Sequence, residues 1–166
     1  MNHKTLTRCW RETAAALAVA AVLAAPPASA DPVETNPSAA TSDMDYAAGK
    51  QAMEMKNWPE AAKRFEVAAR RDPDNADLQN YLGYSHRNLK QFDLAFKYYK
   101  RAIALNPRHR GAHEYIGEAY LMTGDLPNAE KHLAALREIC LLPCEELDDL
   151  QKAVAEYRRK SVKQVR

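Results

Sequence analysis

Residues 80–107 read NYLGYSHRNLKQFDLAFKYYKRAIALNP, with apolar residues at helical spacing and a glycine, Gly83, inside the first helical run. A glycine in a helix interior costs about 1 kcal/mol against alanine, so a gain from outside the helix has to offset it. The glycine also recurs. Gly49, Gly83 and Gly117 stand 34 residues apart, as do Ala61, Ala95 and Ala129, so two residue types hold one period.

Dividing the chain into units 42–75, 76–109 and 110–143 brings further positions into line. Ala48, Leu82 and Ile116 precede the glycines; Trp58, Phe92 and Leu126 open a second helix in each unit; Phe65, Tyr99 and Leu133 follow four residues after each alanine. Asp72 with Pro73, and Asn106 with Pro107, close the first two units. In the second unit Leu82, Gly83, Ala95, Tyr99, Ala102 and Pro107 match the pattern L-G, A-x₃-F, P, and over residues 42–143 the chain resembles the tetratricopeptide repeat family. It departs from the family at the tryptophan position, which holds Asp45, Gln79 and His113, and at Leu141, where proline is expected.

The resemblance implies an all-α fold: a right-handed α-solenoid of three helix hairpins, each core completed by the next unit. The recurring glycines and alanines are then expected where paired backbones approach closely, with packing offsetting the lost helix propensity. Residues 144–166 supply a capping helix with a frayed end. Leu147, Leu150, Val154 and Tyr157 lie at helical spacing, acids Glu145, Glu146, Asp148 and Asp149 fill its opening turns, and bases fill its close, a polarity that suits the helix dipole.

The N-terminal end has a different composition. Lys4, Arg8 and Arg11 precede the apolar run AAALAVAAVLAA, which stops at Pro26 and is shorter than the roughly 20 residues that span a bilayer. Ala28, Ser29 and Ala30 provide small residues for a peptidase, so residues 1–30 read as a secretory signal peptide cleaved after Ala30, and the mature protein as periplasmic or secreted, without stable membrane insertion. Removing them takes three bases and one acid from totals of 24 and 22, leaving 21 of each and no net charge. A neutral protein offers no concentrated positive face for nucleic acid. Residues 31–43, DPVETNPSAATSD, lack periodicity and read as a disordered linker. The basic close, RRKSVKQVR, lacks an apolar face and reads as a solvated tail.

Nothing in the sequence forms a catalytic constellation: there is no Gly-rich phosphate loop, no G-x-S-x-G and no H-E-x-x-H. No cofactor or metal is expected. His109 and His113 share a four-residue spacing, but no third ligand is in sequence reach, and both read as structural. Export would place Cys140 and Cys144 in an oxidising compartment, where the pair reads as a staple between the third hairpin and the cap. A thiol redox adaptor is the rival reading, although C-x₃-C is not the C-x-x-C of thioredoxin-like proteins.

In the family, the first helix of each pair lines a concave surface. The resemblance therefore directs Tyr46, Lys50, Asn80, Tyr81, Tyr84, Arg87, Glu114, Tyr115 and Glu118 towards a groove for an unidentified protein or peptide. Some of these rings could instead pack between neighbouring units; Tyr84, Arg87 and Asn80, from the central unit, are expected to be exposed. Chaperone-binding members hold a C-terminal carboxylate with a clamp of lysines, arginine and asparagines. The matching places here are Tyr46, Lys50, Tyr81, Gly111 and Tyr115, so that clamp is absent. The sequence thus predicts a non-catalytic exported binding module, an envelope adaptor or assembly factor, and is silent on its oligomeric state.

Overall fold

A computed structural model of the chain describes residues 37–164, with side chains described from position 44 to position 162. Seven helices and no strand are found among the described residues: α1 (Pro37–Glu54), α2 (Trp58–Arg71), α3 (Ala76–Asn88), α4 (Phe92–Leu105), α5 (Arg110–Met122), α6 (Leu126–Ile139) and α7 (Glu145–Gln164). None of them is long and apolar enough to cross a membrane. The signal segment 1–30 and residues 31–36 lie outside the described residues. Residues 37–43, read from sequence as disordered linker, form the first turns of α1. Proline suits a first helical position, and no further proline or glycine intervenes before Gly49.

Local chemistry sets the helix starts. Asn57, Asn75 and Asp125 each accept, through a side-chain oxygen, the backbone N–H three residues on, and His109 Nδ1 does the same for α5. Gln91 opens α4 without a side-chain cap; its Oε1 sits 2.6 Å from His86 Nδ1 instead. The turns within the hairpins share one left-handed residue each: Lys56 (φ 55°), Lys90 (φ 63°) and Gly124 (φ 85°), again one period apart.

The helices pair as hairpins, α1 with α2, α3 with α4 and α5 with α6, while α2 packs on α3 and α4 on α5. Each core is completed by the next unit. Ala52, Ala61, Phe65 and Ala68 bury against Leu78 and Leu82 of α3. Ala95 and Tyr99 bury against Ile116 and Ala119 of α5. Leu133 and Leu136 bury against Leu150 and Val154 of α7. This is the geometry of an α-solenoid, in which a lone hairpin cannot cover its own apolar face.

The glycines give way to rings rather than to backbone. A Cβ on Gly49 would stand 2.6 Å from the Phe65 ring, and one on Gly83 would stand 2.5 Å from the Tyr99 ring. At Gly117 the intruder is different: Leu150 of α7, at 2.7 Å, occupies the notch in place of Leu133. The cap therefore behaves as the first helix of a fourth unit. Counting on by one period sets Leu150 with Ile116 and Leu82, and Asp149 with Tyr115 and Tyr81.

Helix α6 ends at Ile139, and α7 begins at Glu145, after Pro143. Between them the Cys140 and Cys144 sulfurs lie 2.02 Å apart, with Cα atoms 6.1 Å apart, and Leu141 and Leu142 stand exposed at the corner.

Candidate functional site

Helices α3 and α5 are neighbouring first helices, and α7 stands next to α5, so their facing side chains enclose a cleft of about 480 Å³. Seven of the nine residues expected in the groove border it: Asn80, Tyr81, Tyr84, Arg87, Glu114, Tyr115 and Glu118. Tyr46 and Lys50 do not. They form a separate cluster in which Lys50 Nζ donates to the Tyr81 hydroxyl at 3.2 Å and the Tyr46 ring meets the Tyr81 ring edge-on at 5.8 Å. Burial pushes the Tyr46 phenol up to about 12, with the Tyr81 hydroxyl adding to the effect, so Tyr46 remains a neutral donor.

Two of the residues expected to be exposed are buried. Arg87 is 7% exposed and Asn80 4%, while Tyr84 is half-buried. Arg87 is covered because its guanidinium lies against both the Tyr84 and Tyr115 rings, 4.9 and 5.3 Å from their centroids, and donates to Glu118. Those two rings are themselves 4.8 Å apart. Arg87 thus fastens the second hairpin to the third, and its contact with Glu118 sets the cleft floor.

The cleft also holds residues that the sequence reading did not assign to it: Asp77, His109 and Gly111, and from α7 Glu145, Glu146 and Asp149. The acids of α7 were legible only as dipole partners of their own helix. Extending the repeat count by one unit is the signal that would have placed Asp149 beside Tyr115.

The result is an acidic cleft in which four of the six carboxylates have a basic side chain beside them. Asp77 lies 3.0 Å from His109 Nε2, Glu118 pairs with Arg87, Glu146 lies 3.5 Å from Arg110, and Asp149 lies 3.1 Å from Lys152. Glu114 differs. Only 9% exposed, it has no hydrogen-bond or ion-pair partner among the described residues. Burial, followed by the charges of Glu118, Asp149 and Glu146, pushes its carboxyl up to about 8 against the opposing pull of Arg87. Next to it the Tyr115 phenol is pushed up to about 12, first by burial and then by Glu114. Asn80 Oδ1, on the same cleft, is buried and accepts no hydrogen bond.

The histidines have structural places. His109 caps α5, and His113 Nε2–H donates to the Pro107 carbonyl at 3.1 Å, leaving its Nδ1 to accept from His132 Nδ1–H at 3.0 Å. Among the described residues no three His, Cys, Asp or Glu side chains converge closely enough to hold a metal ion.

Stacked helix hairpins with a cleft along their first helices define a helical-repeat scaffold. A family model described as tetratricopeptide repeat matches residues 46–107 and 91–140, and the chain belongs to that family. A 75-residue stretch is 31% identical to human protein O-mannosyl-transferase TMTC3, covering 45% of this chain and only 8% of that relative's length. Among solved structures, the TPR2B domain of yeast Sti1, in a pHsp70 complex, superposes with a TM-score of 0.68 at 17% identity, covering 73% of this chain and 98% of its own. The Yersinia enterocolitica type III secretion chaperone SycD, in complex with a peptide of the translocator YopD, gives a TM-score of 0.64 at 20% identity, covering 75% and 95%. At these identities the likeness is one of fold.

Proposed function

We propose that this chain is a non-catalytic, exported module that holds a segment of a partner protein in the cleft between α3, α5 and α7, as an envelope adaptor or assembly factor. The observation that carries this reading is the cleft itself. Half-buried tyrosines and carboxylates line a 480 Å³ opening on rigid helices, with the unsatisfied Asn80 amide oxygen on a residue that borders it, on a scaffold whose similar structures include one solved in a pHsp70 complex and one with a peptide of a translocator. Export rests on the layout of residues 1–30. Cys140 and Cys144 act as a staple at the start of the cap in this reading, not as a redox pair: Cys144 is 8% exposed and no basic side chain forms an ion pair or hydrogen bond with it among the described residues.

Photo-crosslinking from three positions tests the reading. A crosslinking amino acid at position 84 or 118 should capture one protein from envelope extract, whereas the same group at the exposed position 97 on α4 should not. Equal capture from all three positions, or none from the cleft, would overturn it.

A further inference from the structure

We propose that the group recognised in the cleft is a cationic side chain, lysine or arginine, of the partner segment, seated on the Glu114 carboxylate with Asn80 Oδ1 accepting one of its protons. The inference rests on the peptide-binding reading above and names the chemistry of its occupant.

Two separate features point to it. Buried charges in proteins are paired, because leaving a carboxylate in a low-dielectric site without a counter-charge is costly. Glu114 is the one cleft carboxylate that is buried, and it has no cation beside it among the described residues. Asn80 Oδ1 is the second feature: an acceptor buried on the same cleft, on a residue only 4% exposed, with no donor. A ligand that brings positive charge and N–H donors together answers both.

Among the described residues, the cations beside the cleft are already engaged. Arg87 lies against two rings and donates to Glu118; Arg110 lies beside Glu146; Lys152 lies beside Asp149. A metal ion would need several oxygens converging at short range, and the described side chains do not provide that. An ammonium or guanidinium needs only one carboxylate and nearby acceptors, which is what Glu114 and Asn80 offer.

Seating a cation ionises Glu114 and releases its proton, so binding should tighten as pH rises. The charged and titratable groups that share the cleft with Glu114 are Glu118 and Tyr115 on its own helix; Asp77, Tyr81, Tyr84 and Arg87 on α3; Glu145, Glu146 and Asp149 on α7; and His109 at the start of α5; of these Glu118, Asp149, Glu146 and Arg87 act on its carboxyl. The isosteric variant Glu114→Gln leaves every one of these groups in place, so a pH dependence that disappears on that substitution belongs to Glu114.

The test is an NMR titration of the full chain with four blocked pentapeptides, Gly-Ala-Xaa-Ala-Gly, where Xaa is lysine, arginine, norleucine or glutamate. The lysine and arginine peptides should bind at least ~10-fold tighter than norleucine, shift the Asn80 side-chain amide, and tighten ~10-fold or more between pH 6.5 and 8.5. Glu114→Gln should lose both the cation preference and the pH dependence. If that variant does not fold, the carboxyl ¹³C titration of Glu114 in the natural protein decides: its midpoint must fall when the lysine peptide is added. Equal binding of lysine and norleucine peptides would overturn the cationic occupant while leaving a peptide groove standing. Binding of none of the four would also overturn it, and crosslinking from the cleft would then decide separately whether the groove takes a partner at all.

Discussion

Arg87 on α3 donates to Glu118 on α5 while the rings of Tyr84 and Tyr115 close over its guanidinium, so one ion pair spans the seam between the second and third hairpins. Removing one partner of such a pair leaves the other charge poorly solvated. Arg87→Ala should lower unfolding free energy by about 2 kcal/mol, less than the roughly 3–5 kcal/mol of a fully buried pair. The smaller figure follows from the Glu118 side chain being 29% exposed. Arg87→Met, which keeps apolar atoms against the rings, should lose less, and urea titrations of both variants would check the order. Arg87 is therefore a poor place to test binding alone.

At Gly83 helix propensity and packing oppose each other. Alanine would gain about 1 kcal/mol of propensity, but its Cβ would lie 2.5 Å from the ring of Tyr99, which has no exposed surface into which to move. Overpacking costs roughly 1–3 kcal/mol, so Gly83→Ala should be destabilising on balance. Gly117→Ala should cost less, because Leu150, although as buried as Tyr99, meets it with terminal methyl groups that can turn by a small rotation about the side-chain bonds, which a planar ring cannot do. Thermal melts of the two variants giving the opposite order would refute the notch account.

How much of this was legible beforehand can be seen at those same positions. Gly49, Gly83 and Gly117 announced the period, the period gave the units and their order, and the resemblance to the repeat family supplied the hairpins and the helices that face the groove. It could not say what fills each notch, because Phe65, Tyr99 and Leu133 look equivalent along the chain while only two of the three enter a glycine notch. The groove residues were found by register, yet register is blind to burial: Arg87 and Asn80 look like surface residues until the Tyr84 and Tyr115 rings and the neighbouring helix close around them. The α7 acids were missed because no glycine marks a fourth unit.

Lys56 and Lys90 adopt the left-handed backbone at the place where the third hairpin has Gly124. A side chain there costs roughly 1 kcal/mol that glycine avoids, partly offset by glycine's larger unfolded-state entropy. Lys90→Gly should therefore raise stability by a few tenths of a kcal/mol to about 1 kcal/mol, and Gly124→Lys should lower it by a similar amount. Guanidinium titrations of the pair would show whether the two changes have opposite sign.

Acid should loosen the third hairpin through His113 and His132. Burial, then the neighbouring His113, Lys131 and Lys100, push His132 down to about 4, and burial lowers His113 as well. The unfolded chain protonates His132 near 6.5 and the folded one only near 4, so its contribution is whole above pH 6.5 and is lost as pH falls towards 4, with His113 acting in the same direction. His132→Phe, which keeps a ring against Tyr120 but takes no proton, should flatten stability across that interval. An unchanged slope would show that the pair does not titrate as described.

Glu114 gives the opposite slope. Its folded carboxyl holds a proton up to about 8 against an ordinary value of 4.5, so its contribution is whole below pH 4.5 and is lost as pH rises towards 8. Glu114→Gln should be more stable than the natural protein at pH 8.5 and close to it at pH 4.5. A gap that does not widen with pH would remove the case for a strained carboxylate in the cleft.

Leu150 in the Gly117 notch also decides how the array can lengthen. One period after Gly117 the chain has Gln151, so α7 presents no hollow for a ring from a further helix. Extra hairpins grafted behind α7 would find nowhere to seat, whereas copies inserted ahead of α5 would inherit a hollow and a ring at each junction.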